Sequence, residues 1–264
     1  MAEIVRYAAG IEYDGHAFHG WQAQKTGVDS VQQRVEHALS RVADHTLNVV
    51  CAGRTDAGVH AINQVVHFES AAPRDALAWI RGANANLPKE VALTWVKPVS
   101  AEFHARFSAT RRCYRYVIVN RAVRPTFLAW RSAWEYRPLD VAQMQQAANY
   151  LIGEHDFSSY RALACQAKSP VRTVHRLQVR RIGELVLIDA EANAFLHHMV
   201  RNIAGVLMDV GAGKSTPSWA QEVLHARDRT LGGVTAAPHG LYFLGVMYPE
   251  QFGIPYMSET AMLW

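Results

Sequence analysis

The apolar residues of positions 4–96 change their spacing in a definite order, and that order narrows the fold more than any other feature. Val5, Tyr7, Ala9, Ile11 and Tyr13 alternate, which predicts a strand over 4–13 ending at the turn pair Asp14-Gly15. Ser30-Val31-Gln32-Gln33 has the form of a capping box. Val31, Val35, Ala38, Leu39 and Val42 follow at helical spacing, so a helix is expected to about Ala43. Strands are expected through Leu47 to Ala52 and over Val65 to Phe68. Pro73-Arg74-Asp75 opens a second helix to about Ala83, Asn86-Leu87-Pro88 breaks it, and Val91 to Val96 reads as a further strand. Strand, helix, strand, strand, helix, strand is the order of an α+β domain with helices on one face of a largely antiparallel sheet.

The chain's 264 residues suffice for one large domain or two ordinary ones, and half of them are apolar. The charge pattern changes near Glu102, which sets the expected division at 1–104 and 105–264. From Phe103 to Trp134 there are seven arginines (Arg106, Arg111, Arg112, Arg115, Arg121, Arg124, Arg131) and no acid. Phe157 to Gly183 is a second acid-free window, holding Arg161, Lys168, Arg172, Arg176, Arg180 and Arg181. Such stretches, interleaved with Tyr114, Tyr116, Trp130, Phe157 and Tyr160, suit a polyanion with unstacked bases. A merely solvated face is the competing reading.

Period two puts Arg112, Tyr114, Tyr116 and Ile118 on one face of a strand, where the arginine and both tyrosines can line one site. Helices are expected over 139–152, Ala194 to Val210 and Trp219 to Ala226, and strands over Leu185 to Ala190 and Gly240 to Met247. His197 and His198 fall inside the long apolar helix, where neighbours do not share a face, so they read as hydrogen-bonded structure and no metal site is assigned. Arg201, among Met199, Val200, Ile203 and Val206, is expected to be partly buried and to need an anion. Asp56 is one candidate; Asp209 or a helix carbonyl is another. Gly211-Ala212-Gly213-Lys214-Ser215 lacks the spacing of a phosphate-binding loop and follows a helix instead of a strand.

Chemistry concentrates in Cys51-Ala52-Gly53-Arg54-Thr55-Asp56-Ala57-Gly58-Val59-His60-Ala61. Glycines at both ends let the backbone turn tightly or let a ligand approach, and Arg54 and Asp56 are presented between them. The bare spacing G-x-x-D-x-G also fits an ordinary surface turn.

The net charge of +4 is mild, but 22 of the 27 basic residues are arginines, whose planar fork suits phosphate oxygens. Genomic base composition would give the same ratio. Cys51, Cys113 and Cys165 lie far apart, which argues against a disulfide framework or structural zinc. No apolar run is long enough for a signal peptide or membrane span, so a cytoplasmic protein without a membrane partner is expected.

The string Gly53-Arg54-Thr55-Asp56-Ala57-Gly58-Val59-His60-Ala61 closely resembles the signature of the bacterial tRNA pseudouridine synthase A family, which acts on the anticodon arm. Tyr13-Asp14-Gly15 with Gly20-Trp21-Gln22, Asn84-Ala85-Asn86-Leu87-Pro88, Phe103 to Ala109, Tyr114-Arg115-Tyr116 and Phe195 to Asn202 resemble further motifs of that family, in its order. His16 and Cys113 depart from it, and the tail after Pro249 matches weakly. The resemblance implies two pseudo-symmetric ferredoxin-like, RRM-like α+β halves around a central cleft, a homodimer and no cofactor. It implies isomerisation of uridine to pseudouridine at positions 38–40 of the tRNA anticodon stem-loop. By the same likeness Asp56 is the catalytic aspartate, Tyr114 packs against the target base, Arg54 helps admit the displaced nucleotide, Arg201 pairs with the aspartate, and Arg106 contacts substrate.

That reaction breaks the N1–C1′ bond and joins C5 to C1′ without net oxidation, so no redox cofactor is required. An anion must act as nucleophile or base, and a carboxylate serves either way. Arg54 and Arg201 are the available cations to keep it charged inside a closed site. A non-catalytic RNA-binding module would use the same basic windows, but a carboxylate facing phosphates has no use there. A hydrolase with an aspartyl intermediate usually needs further clustered carboxylates, and none lie near Asp56 in sequence.

Overall fold

The computed structural model describes residues 3–24 and 27–256. The fold is mixed α+β, mostly antiparallel, with five α-helices among the described residues. Two compact units are present. One takes the described residues up to Thr110 and from Phe243 on; the other is Arg111–Tyr242.

The first unit runs β1 (Val5–Tyr13), α1 (Val31–Ala43), β2 (Val50–Cys51), β3 (His60–Ser70), α2 (Ala76–Asn86) and β4 (Val91–Pro98). β1 lies between β3 and β4, antiparallel to both, and β2 pairs with β3. α1 starts and stops where its sequence says. Ser30 Oγ accepts from Gln33 N, and the hydroxyl bonds Gln33 Oε1 at 2.9 Å. Asp75 caps α2 by accepting from Ala78 N. Both helices bury one face. Trp79 of α2 is fully buried against Tyr7 and Phe68 of the sheet, with ring centroids 5.6 and 5.1 Å away.

β2 is shorter than its apolar run predicts. Leu47 and Val49 are buried, yet their N–H groups go to α1 side chains, Ser40 Oγ at 2.8 Å and Glu36 Oε1 at 3.0 Å, instead of to a neighbouring strand. The segment does not join the ladder until Val50.

The second unit runs β5 (Arg111–Asn120), β6 (Ala133–Glu135), α3 (Val141–Asn149), β7 (Gly153–Asp156), β8 (Val171–Ile182), β9 (Leu185–Ala192), α4 (Met199–Gly211) and α5 (Trp219–Ala226). The order β5-β9-β8-β7 is antiparallel throughout, and β6 adds in parallel to β5. β10 (Leu241–Met247) begins at the end of this unit, and from Phe243 on its residues belong to the first, beside β3. Tyr248 closes that return, its hydroxyl donating to Ala105 O at 2.6 Å. The weakly matching tail is described only to Tyr256, and the rest of it lies outside the described residues.

Two expectations change here. The basic windows are acid-free along the chain but not across the ladder. β9 lies between β5 and β8, and its acids meet their arginines: Arg115 with Asp189 at 2.5 Å, Arg180 with Asp189 at 3.3 Å and Arg111 with Glu191 at 2.6 Å. Arg115 is wholly buried and is a core residue. The helix expected from Ala194 begins at Met199. His198 takes a left-handed conformation, φ 62°, and forms the turn before it, so neither histidine is on the helix. Their rings lie 4.0 Å apart.

Candidate active site

In the first unit, β1 and β3 place the charged loop. A register shift between Ile11 and Tyr13 sets Tyr13 opposite Ala61, directly after the loop. Thr55 points inward and is buried, Asp56 is half-buried and Arg54 exposed.

The backbone around Asp56 is held from several sides. Trp21 N donates to Thr55 O at 3.0 Å, Val59 N to Asp56 O at 3.1 Å, and Gly58 N to Phe18 O at 3.4 Å. Phe18 and Trp21 are buried, and they hold that backbone from below. Gly20 makes the approach possible. Its φ is +94°, and a Cβ there would meet Thr55 O at 2.8 Å. Gly58 closes the loop at φ +77°. His60 Nδ1 accepts from Gly15 N at 3.0 Å, tying the far end to the turn after β1.

Arg54 and Arg106 both lie near enough to Cys51 to act on its thiol. Enclosure by protein pushes Cys51 up to about 12, and the two guanidinium charges oppose that rise. Arg106 also sits over the Phe107 ring, 5.5 Å from its centroid, and Phe107 is 75% exposed. An exposed ring beside a guanidinium is a surface on which a base can stack.

In the second unit, Tyr114 of β5 stands opposite Ala190 of β9, and its ring meets Phe195 edge-on at 5.1 Å and 83°. Phe195 belongs to the segment between β9 and α4, which Asn193 pins. Asn193 Oδ1 accepts from Thr173 N at 3.1 Å and Ala194 N at 2.7 Å, and its carbonyl accepts from Arg112 Nη1 at 2.8 Å. Tyr116 is not a lining residue. It is wholly buried, and its hydroxyl donates to Ala237 O at 2.8 Å. Arg201 is half-buried on α4, with Nε donating to Ala236 O at 2.8 Å. Asn202 fixes the same stretch. It donates to Tyr160 O at 2.8 Å and accepts from Arg229 Nη2 at 3.0 Å and the Thr235 hydroxyl at 2.7 Å.

Of the residues singled out from sequence, Arg54, Asp56 and Arg106 therefore belong to the first unit, and Tyr114 and Arg201 to the second. Sequence reasoning passed over Gln64, fully buried on β3 beneath the loop. Its signal was present: Asn63-Gln64 interrupts an otherwise apolar strand, and a buried amide needs partners.

Comparison with known proteins adds the following. A family model described as tRNA pseudouridine synthase matches residues 9–108 and 147–249. A protein of Alcanivorax borkumensis named tRNA pseudouridine synthase A is 57% identical over 252 residues, 96% of this chain and 94% of that one. One of Nitrosococcus oceani with the same name is 56% identical over 260 residues, 98% of this chain and 100% of the other. One of Pseudomonas aeruginosa, again so named, is 55% identical over 254 residues, 96% of this chain and 89% of its own.

Proposed function

The chain belongs to the tRNA pseudouridine synthase family and is an isomerase of tRNA uridine; from that premise we propose that Asp56 carries its chemistry on uridines of the 3′ side of the anticodon stem-loop. The observation that carries this reading is the treatment of Asp56. The backbone on either side of it is tied down, its neighbour Thr55 is drawn inward, and the carboxylate itself is left half-buried at a surface. A residue with only a structural task does not require such fixation at a rim.

The reaction sets the roles. The N1–C1′ bond breaks, the uracil turns, and C5 bonds to C1′ while the C5 proton leaves and N1 gains one. The carboxylate acts at the sugar, as nucleophile at C1′ or as the base that takes a sugar proton, and it must be ionised to do either. The family resemblance assigns Arg201 as its cation. The target must leave the stack, which costs a few kcal/mol, and stacking on an aromatic ring returns roughly 1–3 kcal/mol. Tyr114 provides that ring, with Phe195 fixing its plane. Arg54 and Arg106 neutralise phosphates of the displaced nucleotide and its neighbours. The protein works in the cytoplasm as a homodimer without a cofactor. Among the described residues, no helix is long and apolar enough to cross a membrane.

Carbodiimide labelling and primer extension on tRNA incubated with the protein tests the reading. The wild type is expected to give a stop on the 3′ side of the anticodon arm. Asp56→Asn is expected to give none while its tRNA affinity stays within about two-fold, since a neutral isostere keeps the contacts and loses only the charge. Turnover by Asp56→Asn would remove Asp56 from the mechanism.

A further inference from the structure

We propose that Gln64, Thr55 and Tyr13 form a buried hydrogen-bonded clamp that sets the position of Asp56, making them positioning residues for the isomerisation. The inference rests on Asp56 being the reacting carboxylate.

The clamp begins where the ladder stops. β2 pairs with β3 at Val50–His67 and Cys51–Val66, and Ala52 N still donates to Val65 O at 2.8 Å. At the next rung, Gly53 opposite Gln64, the side chain takes over from the main chain. Gln64 Oε1 accepts from Gly53 N at 3.3 Å, and Gln64 Nε2 donates to Gly53 O at 2.5 Å. Both backbone groups of Gly53 are thus satisfied by one amide, from the neighbouring strand. The chain leaves the sheet at a defined residue, and Asp56 follows three positions later.

A second grip is on Thr55. Its hydroxyl and the Tyr13 hydroxyl are 2.7 Å apart, both buried. The Gln64 side chain also acts on the Tyr13 hydroxyl, which brings the three groups together beneath the loop. Burying an amide and two hydroxyls is unfavourable unless each finds a partner, and such a network is rigid only when complete. Apolar residues in their place would fill the same volume and leave Thr55 free to rotate. A shift of the backbone at Thr55 carries Asp56 with it, because the two are adjacent. A displacement of about 1 Å at a reacting group is enough to cost roughly a hundred-fold in rate.

A clamp of this kind affects the chemical step and leaves RNA binding alone, since none of its three side chains faces solvent. The experiment is single-turnover pseudouridine formation at saturating protein, with tRNA affinity by filter binding and thermal melting on the same samples. Thr55→Val, Gln64→Ala and Tyr13→Phe are each expected to slow the step roughly ten- to a hundred-fold, with affinity within about two-fold of wild type. Thr55→Ser, which restores the hydroxyl, is expected to recover most of the rate lost in Thr55→Val. Wild-type rates for Thr55→Val and Gln64→Ala would overturn the proposal, as would losses confined to affinity. Should Gln64→Ala fail to melt cooperatively, Tyr13→Phe, which removes one oxygen, decides the matter alone. Asp56→Asn is run beside them. If it turns over like wild type, the assignment of Asp56 has failed and takes the clamp's purpose with it; if it is dead and Thr55→Val is fast, only the clamp has failed.

Discussion

Single residues here take their meaning from partners far along the chain. Arg115 sits in a motif that reads as RNA-facing, yet it is wholly buried in a two-point pair with Asp189. His67 is a second case. Its Nδ1 accepts from Ala105 N at 3.1 Å, and burial, then the nearby charges of His104 and Arg6, lower it to about 4. The sign follows directly. The folded chain holds His67 neutral over a range in which the unfolded chain, with its ordinary value of 6.5, binds a proton. Its contribution is therefore complete above pH 6.5 and is lost as pH falls from there through about 4. The loss is on the order of a few kcal/mol. Urea unfolding at neutral and mildly acid pH is expected to show it, and His67→Gln, which keeps an acceptor for Ala105 N, is expected to flatten that part of the dependence. Nothing in the neighbours of His67 along the chain announces this, because the groups responsible come from β1 and from the segment after β4.

Elements divide by whether their ends are local. α1 was legible to the residue, since the contact that starts it joins Ser30 to Gln33 within a single turn. Ser30→Ala is expected to lower stability by about 1 kcal/mol in thermal or chemical unfolding, with Ser30→Asp recovering most of it. α5 was equally plain, running from Trp219 to Ala226 as its pattern predicts. α4 was not. The apolar run from Ala194 suggested five further helical residues, but Asn193 anchors the segment to β8 and His198 turns the chain left-handed. β8 was missed altogether, because its arginines, exposed or half-buried between Val174, Leu177 and Val179, masked the alternation.

At the scale of the whole molecule, the proposed homodimer makes a direct prediction. Sedimentation of the protein without RNA is expected to give twice the chain mass of 29.5 kDa, and a monomer at assay concentrations would overturn that proposal. That β10 returns to lie beside β3 had no signal along the chain, because its run of consecutive buried residues names no particular neighbour.

The sequence by itself determined the α+β class, the starts of α1 and α5 and the glycine-bracketed string that carries Asp56, because each is written in residues a few positions apart. Tertiary structure alone decided which arginines of the basic windows pair with Asp189 and Glu191, and that an amide from β3 finishes the ladder under Asp56. Those choices depend on which strands become neighbours, and strand pairing is settled by burial of the entire sheet, not by any stretch of it.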